Sequence, residues 1–186
     1  VSSLSRYPEV LTMEEQSADE DELWSDLSQA IREACTQFIA TRTTEGEHLK
    51  QDLVEKLHHM RDNVDKVEQR APQIIAEYRS KLMEKVNELL GDTQIDEARL
   101  STEIVLFADK ICTDEETVRL KSHITSMLNA LERSEGIGRK LDFIAQEMNR
   151  EANTILSKSN DLETSDIAIE LKTEIEKVRE QIQNIE

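Results

Sequence analysis

Apolar residues recur along this chain at steps of three and four, the spacing that gathers them on one face of an α-helix. Thr12-Met-Glu-Glu15 reads as a capping box that opens a first helix. Trp24, Leu27, Ile31, Cys35 and Phe38 then form a stripe expected to end before Thr43-Thr44-Glu45-Gly46. The longest periodic run follows, from Leu49 through Leu53, Leu57, Met60, Val64, Val67, Ala71, Ile74, Tyr78, Leu82 and Val86 to Leu89. Sustained steps of this kind predict a coiled-coil-like hairpin arm or one long helix over about 47–90. Pro72 is expected to kink or restart it, and Gly91 to end it.

Four shorter helices are predicted beyond it. Glu97–Lys110 turns Ile104, Phe107, Ala108 and Ile111 inward. Thr113-Asp-Glu-Glu116 reads as a capping box for a helix packing Leu120, Ile124, Met127 and Leu131. After a break at Gly136 and Gly138, Leu141, Ile144, Ala145, Met148, Ala152 and Ile155 share one narrow face. Ser157–Ser165 reads as a connector. The last helix carries Ile167, Leu171, Ile175, Val178 and Ile182 at near-heptad spacing. The expected fold is therefore all-α: an extended helical bundle with a long coiled-coil-like arm.

The helix after Gly138 carries unusual edges. Arg139, Asp142, Gln146, Asn149 and Asn153 line one side of its apolar face, and Lys140, Glu147 and Glu151 the other. Short amides and carboxylates are mediocre helix formers; such edges suit a polar site or a buried interhelical hydrogen-bond network. Glu147 and Glu151 stand four apart, a like-charge pair that a cation would relieve, whether a bound metal or Lys140 or Arg150. Glu116, Arg119 and His123 fall on one stripe and offer a carboxylate ligand, a phosphate clamp and a proton-transfer group. The plain alternative pairs Glu115 with Arg119 at i+4 and leaves His123 on the surface.

The same stretches carry a family resemblance. Gly138–Asp161, with the closing Glu174–Glu186, resembles the carboxy-terminal region of the bacterial YicC/YloC family. Ala108-Asp109-Lys110, Glu115-Glu116, Arg119-Leu120 and Ser122-His123 resemble its central motif, and Ser5–Leu11 a segment preceding its helices. Cys112, Leu156 and Glu9 depart from the family pattern, which has Asp, a small residue and Gly there. The resemblance implies a metal-dependent endoribonuclease assembled as a ring-shaped homo-oligomer, a hexamer. It also implies that the family's strand-containing amino-terminal domain is missing. Residues 1–12 then read as a remnant or linker and 13–186 as the helical domain, with its motif-bearing part at about 96–186.

On that reading, Mg²⁺ or Mn²⁺ is the cofactor, since hard oxygen donors suit either ion. Glu116, Asp142, Glu147 and Glu151 are the candidate metal ligands. His123, Glu116 and Glu147 are the candidate catalytic residues. Arg119, Lys121, Arg139, Lys140, Arg150, Asn153 and Lys158 are the candidate RNA-binding residues. The competing reading is a non-enzymatic helical scaffold that binds protein partners through its arm.

Composition adjusts this picture. Four Gly, two Pro and 3% aromatic residues argue against a β-sandwich or barrel. The net charge of −17 opposes nucleic-acid binding. Acidity is uneven, however: Glu14–Asp26 holds seven acidic residues and no basic one, while the candidate motifs carry local positive charge. Local field matters most within a Debye length of about 8 Å. Cys35 and Cys112 are isolated, which suits a reducing cytoplasm. No apolar run is long enough to span a membrane. His58 and His59 are neighbours pointing about 100° apart on a helix, and read as poor joint ligands. Phe143 lies off its helix's apolar face beside Arg139 and Arg150, where a base could stack.

Overall fold

The longest periodic run folds as a single helix. α1 spans Glu20–Leu90, 71 residues, in a computed structural model that describes residues 19–90, 97–133 and 138–183. α2 spans Glu97–Ile111, α3 Asp114–Leu131, α4 Gly138–Lys158 and α5 Leu162–Ile182. No strand occurs among the described residues, so the fold is all-α. The capping box at Thr12–Glu15 and the stop at Gly91 lie outside them. Asp19 immediately precedes α1, and its carboxylate accepts from the Asp21 amide at 3.0 Å.

Two expected breaks in α1 do not occur. The helix continues through Thr43–Gly46, where Thr41, Thr43 and Thr44 donate their hydroxyls to carbonyls four residues back. A helical Gly costs only about 1 kcal/mol, too little to end a helix held on both sides. Pro72 lies inside α1 and does not restart it. An interior Pro costs roughly 3 kcal/mol. Leu53, Leu57, Met60, Val64 and Val67 are all buried one turn or more upstream, and each contributes about 1.5–3 kcal/mol.

The chain divides into two compact units, residues 1–45 and residues 46–186. In the first, the predicted stripe forms on α1 but stays exposed, with Trp24 at 67% and Phe38 at 65% accessibility. In the second, the buried stretch of α1 shares one core with α3, α4 and α5. Every predicted core position of α3, α4 and α5 is buried: Leu120, Ile124, Met127 and Leu131; Leu141 to Ile155; and Ile167 to Ile182. α4 packs against both α3 and α5. Its apolar face is thereby committed, and its polar edges hold fixed positions beside the two neighbours.

Two helix starts differ from expectation for local reasons. Thr113 occupies the N-cap position of α3, but its hydroxyl makes no capping bond. Glu116, the other half of the expected capping box, turns instead to Lys158. The connector before α5 is only residues 159–161, because Asp161 caps the helix at once. Its carboxylate, at the extended N-cap position, accepts from the Thr164 amide at 3.1 Å. Arg70 of α1 donates to the same carboxylate at 2.9 and 3.2 Å, tying α1 to the start of α5. Arg70 also bonds Glu77 at 2.5 Å.

Hydrogen bonding from Arg70 holds the Asp161 carboxyl below its ordinary value of 3.8. A depressed folded-state pKa stabilises the fold above the unfolded value and loses that stabilisation as pH falls below it. The urea midpoint of the native chain should therefore drop between pH 5 and pH 3 more steeply than that of Asp161→Asn, which keeps a capping side chain without the charge. Equal slopes would remove this ion pair from the acid response. Leu171→Ala, at a fully buried site, should cost about 2–5 kcal/mol in the same assay at pH 7.

Candidate functional site at the seam of α3 and α4

The seam between α3 and α4 buries two carboxylates. Glu116 of α3 is 7% exposed and Glu151 of α4 is 9% exposed. A buried carboxylate requires compensation, and each has a cation from the opposite helix. Lys158 Nζ lies 2.8 Å from Glu116 Oε1 and donates to the Cys112 carbonyl at 3.0 Å. Its hydrogen bond to Glu116 raises the Lys158 pKa, so the ammonium stays charged. Arg119 of α3 lies 3.7 Å from Glu151 Oε1 and also pairs with Glu115, the i+4 contact expected of the plain reading. The second Glu116 oxygen, Oε2, is buried without a hydrogen-bond partner. That oxygen is the open acceptor of the seam.

The other predicted residues divide around this point. His123 lies half-buried on α3, two turns beyond Glu116 on the same stripe. Glu147 is half-buried and takes Arg150 at 3.0 Å, so one of the two foreseen cations relieves the Glu147–Glu151 repulsion on that side. Arg150 is 74% exposed in its side chain. Arg139, Lys140 and Asn153 are exposed on α4. Asn153 donates to the Asn149 side chain at 3.3 Å, and Phe143 stands 63% exposed between the arginines.

Two predicted residues are drawn elsewhere. Asp142 sits more than two turns before Glu151 on α4, where it accepts from Arg179 of α5 at 3.0 Å and from Gln146 at 2.8 Å. Lys121 is held by Asp65 at 2.5 Å and Glu68 at 2.6 Å, both on α1. Burial pushes its ammonium down, but the two carboxylates outweigh burial and leave its pKa raised. A lysine neutralised twice has little charge left for phosphate. Neither fate is legible in sequence, because Arg179, Asp65 and Glu68 approach only through packing.

Sequence reasoning also missed one cluster. Among the described residues, His59 of α1 with Glu170 and Glu174 of α5 is the group that brings three metal-type donors within 4.8 Å of one another. His59 Nδ1 lies 2.9 Å from Glu174 Oε2, and a direct imidazole–carboxylate hydrogen bond accounts for this pair without a metal. Glu170 and Glu174 are visible in sequence as an i,i+4 pair, but His59 arrives from 115 residues before Glu174. His59 thus finds its partners on α5, not at His58.

The stretch that contains the seam also matches known proteins. The family profile described as "Endoribonuclease YicC-like, C-terminal" matches residues 67–186, which contain all of α2 to α5. The chain belongs to the YicC-like endoribonuclease family. The profile described as "Endoribonuclease YicC-like, N-terminal region" matches residues 1–51, so part of the region expected to be missing is present. The chain is 42% identical over its whole length to a "Probable endoribonuclease YicC" of Clostridioides difficile (strain 630). It is 37% identical, again over its whole length, to a "Probable endoribonuclease YicC" of Haemophilus influenzae. It spans 64% and 63% of those relatives' lengths. Among the described residues, no helix of this YicC-like chain is long and apolar enough to cross a membrane.

The seam can be tested for buried charge without any assay of function. Lys158→Met should leave Glu116 buried without its cation and destabilise the chain by about 1–2 kcal/mol in urea unfolding, discounted because Lys158 is partly exposed. Adding Glu116→Gln to that variant should recover part of the loss. Additive costs in the double variant would mean the two groups are not coupled.

Proposed function

We propose that this chain is the helical part of a metal-dependent endoribonuclease whose reacting site lies on the α3–α4 seam, acting within a ring-shaped homo-oligomer, a hexamer. Family membership supports the reaction class, and the buried unpartnered oxygen of Glu116 supports the location. Glu116, Glu147 and Glu151 offer hard oxygens that suit a divalent ion, although the three do not gather within 4.8 Å of one another in this structure, so an ion here would draw them together. Bound there, Mg²⁺ or Mn²⁺ would neutralise phosphate charge and acidify a water. Asp142, engaged by Arg179, is left out of this ligand set.

The remaining work falls to side chains. Arg119 and Lys158 stand at the seam already charged, and Arg139, Lys140 and Arg150 line the exposed side of α4. Guanidinium groups grip phosphate oxygens bidentately and would align the RNA backbone across the seam. His123, on the Glu116 stripe, would take or return a proton at the attacking or leaving oxygen. Burial of Glu116 and Glu151 lowers the local dielectric and strengthens each of these interactions. Local basic groups also answer the −17 net charge, because binding responds to the field at the site.

The exposed apolar stripe of Leu23, Trp24, Ile31 and Phe38 favours the second reading, a scaffold that acts only by binding other helices. Cleavage separates the two. A short single-stranded RNA should be cut in Mn²⁺ or Mg²⁺ and spared in EDTA, by this chain or by the chain extended to the length of its relatives. Glu116→Gln, Glu147→Gln and His123→Ala should each slow cutting by roughly 10²-fold or more while circular dichroism stays unchanged. Metal-independent cutting, or full activity in all three variants, would sink the assignment. Complete absence of cutting by an intact oligomer would favour the scaffold.

A further inference from the structure

A cavity of about 640 Å³ opens beside the seam, where α1, α2 and the end of α4 meet. Its lining is chemically mixed in a specific way. Tyr78 of α1 and Phe107 of α2 stack face to face, with ring centroids 3.7 Å apart and planes 8° from parallel. Lys110 and Lys158 supply two cations, and Asn160 an exposed amide. Few aromatic residues occur in this chain, and two of them lie here.

Each group has capacity to spare. Lys158 spends two of its three donors on Glu116 and the Cys112 carbonyl and keeps one. No carboxylate among the described residues pairs with Lys110. Asn160 makes no hydrogen bond through its side chain among the described residues, so its amide can both donate and accept. The two lysines stand in the last turns of α2 and α4, where they offset the negative helix ends. Stacked rings offer a π-face to a base, an amide suits the edge of a base, and paired ammonium groups suit a phosphate. Glu103 occupies the Tyr78 hydroxyl at 3.3 Å, which directs the ligand towards the ring and away from the phenol.

We propose that this cavity receives one nucleotide of single-stranded RNA, its base against the Tyr78–Phe107 stack and its phosphate between Lys110 and Lys158. The choice of ligand rests on the ribonuclease reading above. Lys158 belongs to both the cavity and the seam, so a nucleotide seated here delivers the adjoining phosphodiester towards Glu116. An extruded base is available in single strands and loops but not within a duplex. The cavity therefore selects unpaired RNA.

The test is binding, read separately from cleavage. Adenosine 5′-monophosphate should shift the aromatic proton resonances of Tyr78 and Phe107, in a chain with only two Tyr and three Phe. Tyr78→Leu should weaken binding of a six-nucleotide single-stranded RNA roughly 5- to 100-fold, the range for loss of one stacked base. Lys110→Gln should weaken it and flatten its salt dependence, with the fold unchanged by circular dichroism. Cleavage of RNA with affinity unaltered in both variants would overturn the cavity and leave the nuclease intact. Binding lost in the variants, by a protein that cuts nothing, would uphold the cavity and refute the nuclease. A shift with tetraglutamate but none with the nucleotide would overturn the proposal in favour of an acidic peptide.

Discussion

Burial of one face of α4 between two neighbours is the constraint from which the rest of the molecule follows. Leu141, Ile144, Ala145, Met148, Ala152 and Ile155 are all committed to the core, and Leu141, Ala145, Met148, Ala152 and Ile155 are fully inaccessible. A helix so committed cannot rotate without exposing several side chains, each worth about 1.5–3 kcal/mol. Its edges are then locked as well. Glu151 is drawn under α3, Asp142 is turned towards Arg179 of α5, and Arg139, Lys140 and Arg150 face solvent. The apolar face thus assigns each polar side chain its partner.

Charge is unevenly placed in this acidic chain. Much of the negative charge either lies in the Glu14–Asp26 run or is spent on internal pairs such as Arg70 with Asp161 and Lys121 with Asp65 and Glu68. At the seam the balance differs. Glu116 and Glu151 are buried and compensated, while Arg139, Lys140 and Arg150 are exposed on α4. Coulomb interactions are strong over a few ångströms in a partly buried site and screened beyond a Debye length. The field at the seam is therefore set more by its own charges than by the distant ones.

The Glu116–Lys158 contact joins α3 to α4. It withholds the Glu116 carboxylate from the capping role that its sequence suggested, and leaves Thr113 without a capping bond. That forgone cap is worth about 1 kcal/mol. In exchange, a charged pair spans the seam with one carboxylate oxygen unsatisfied. Buried unsatisfied polar atoms are rare in folded proteins, and this one lies in the seam between α3 and α4.

Period and residue type by themselves determine much of this protein. Helical spacing places α2 to α5 and the core of α3 to α5, because burial of an apolar stripe depends on intervals along one helix; of the four α2 residues expected inward, only Ile111 is buried. The polar edges of α4, and the stripe from Glu116 to His123, are legible for the same reason. Tertiary structure alone decides which charges are free. Lys121 is lost to α1, Asp142 to α5, and Glu116 is taken by Lys158, since partners 37 to 56 residues apart in sequence leave no periodic trace. The continuity of α1 through Gly46 and Pro72 is likewise decided by the sum of local costs against packing. The stack of Tyr78 on Phe107 belongs to the same class. Intervals along a helix are written in the chain; distances between helices exist only once it has folded.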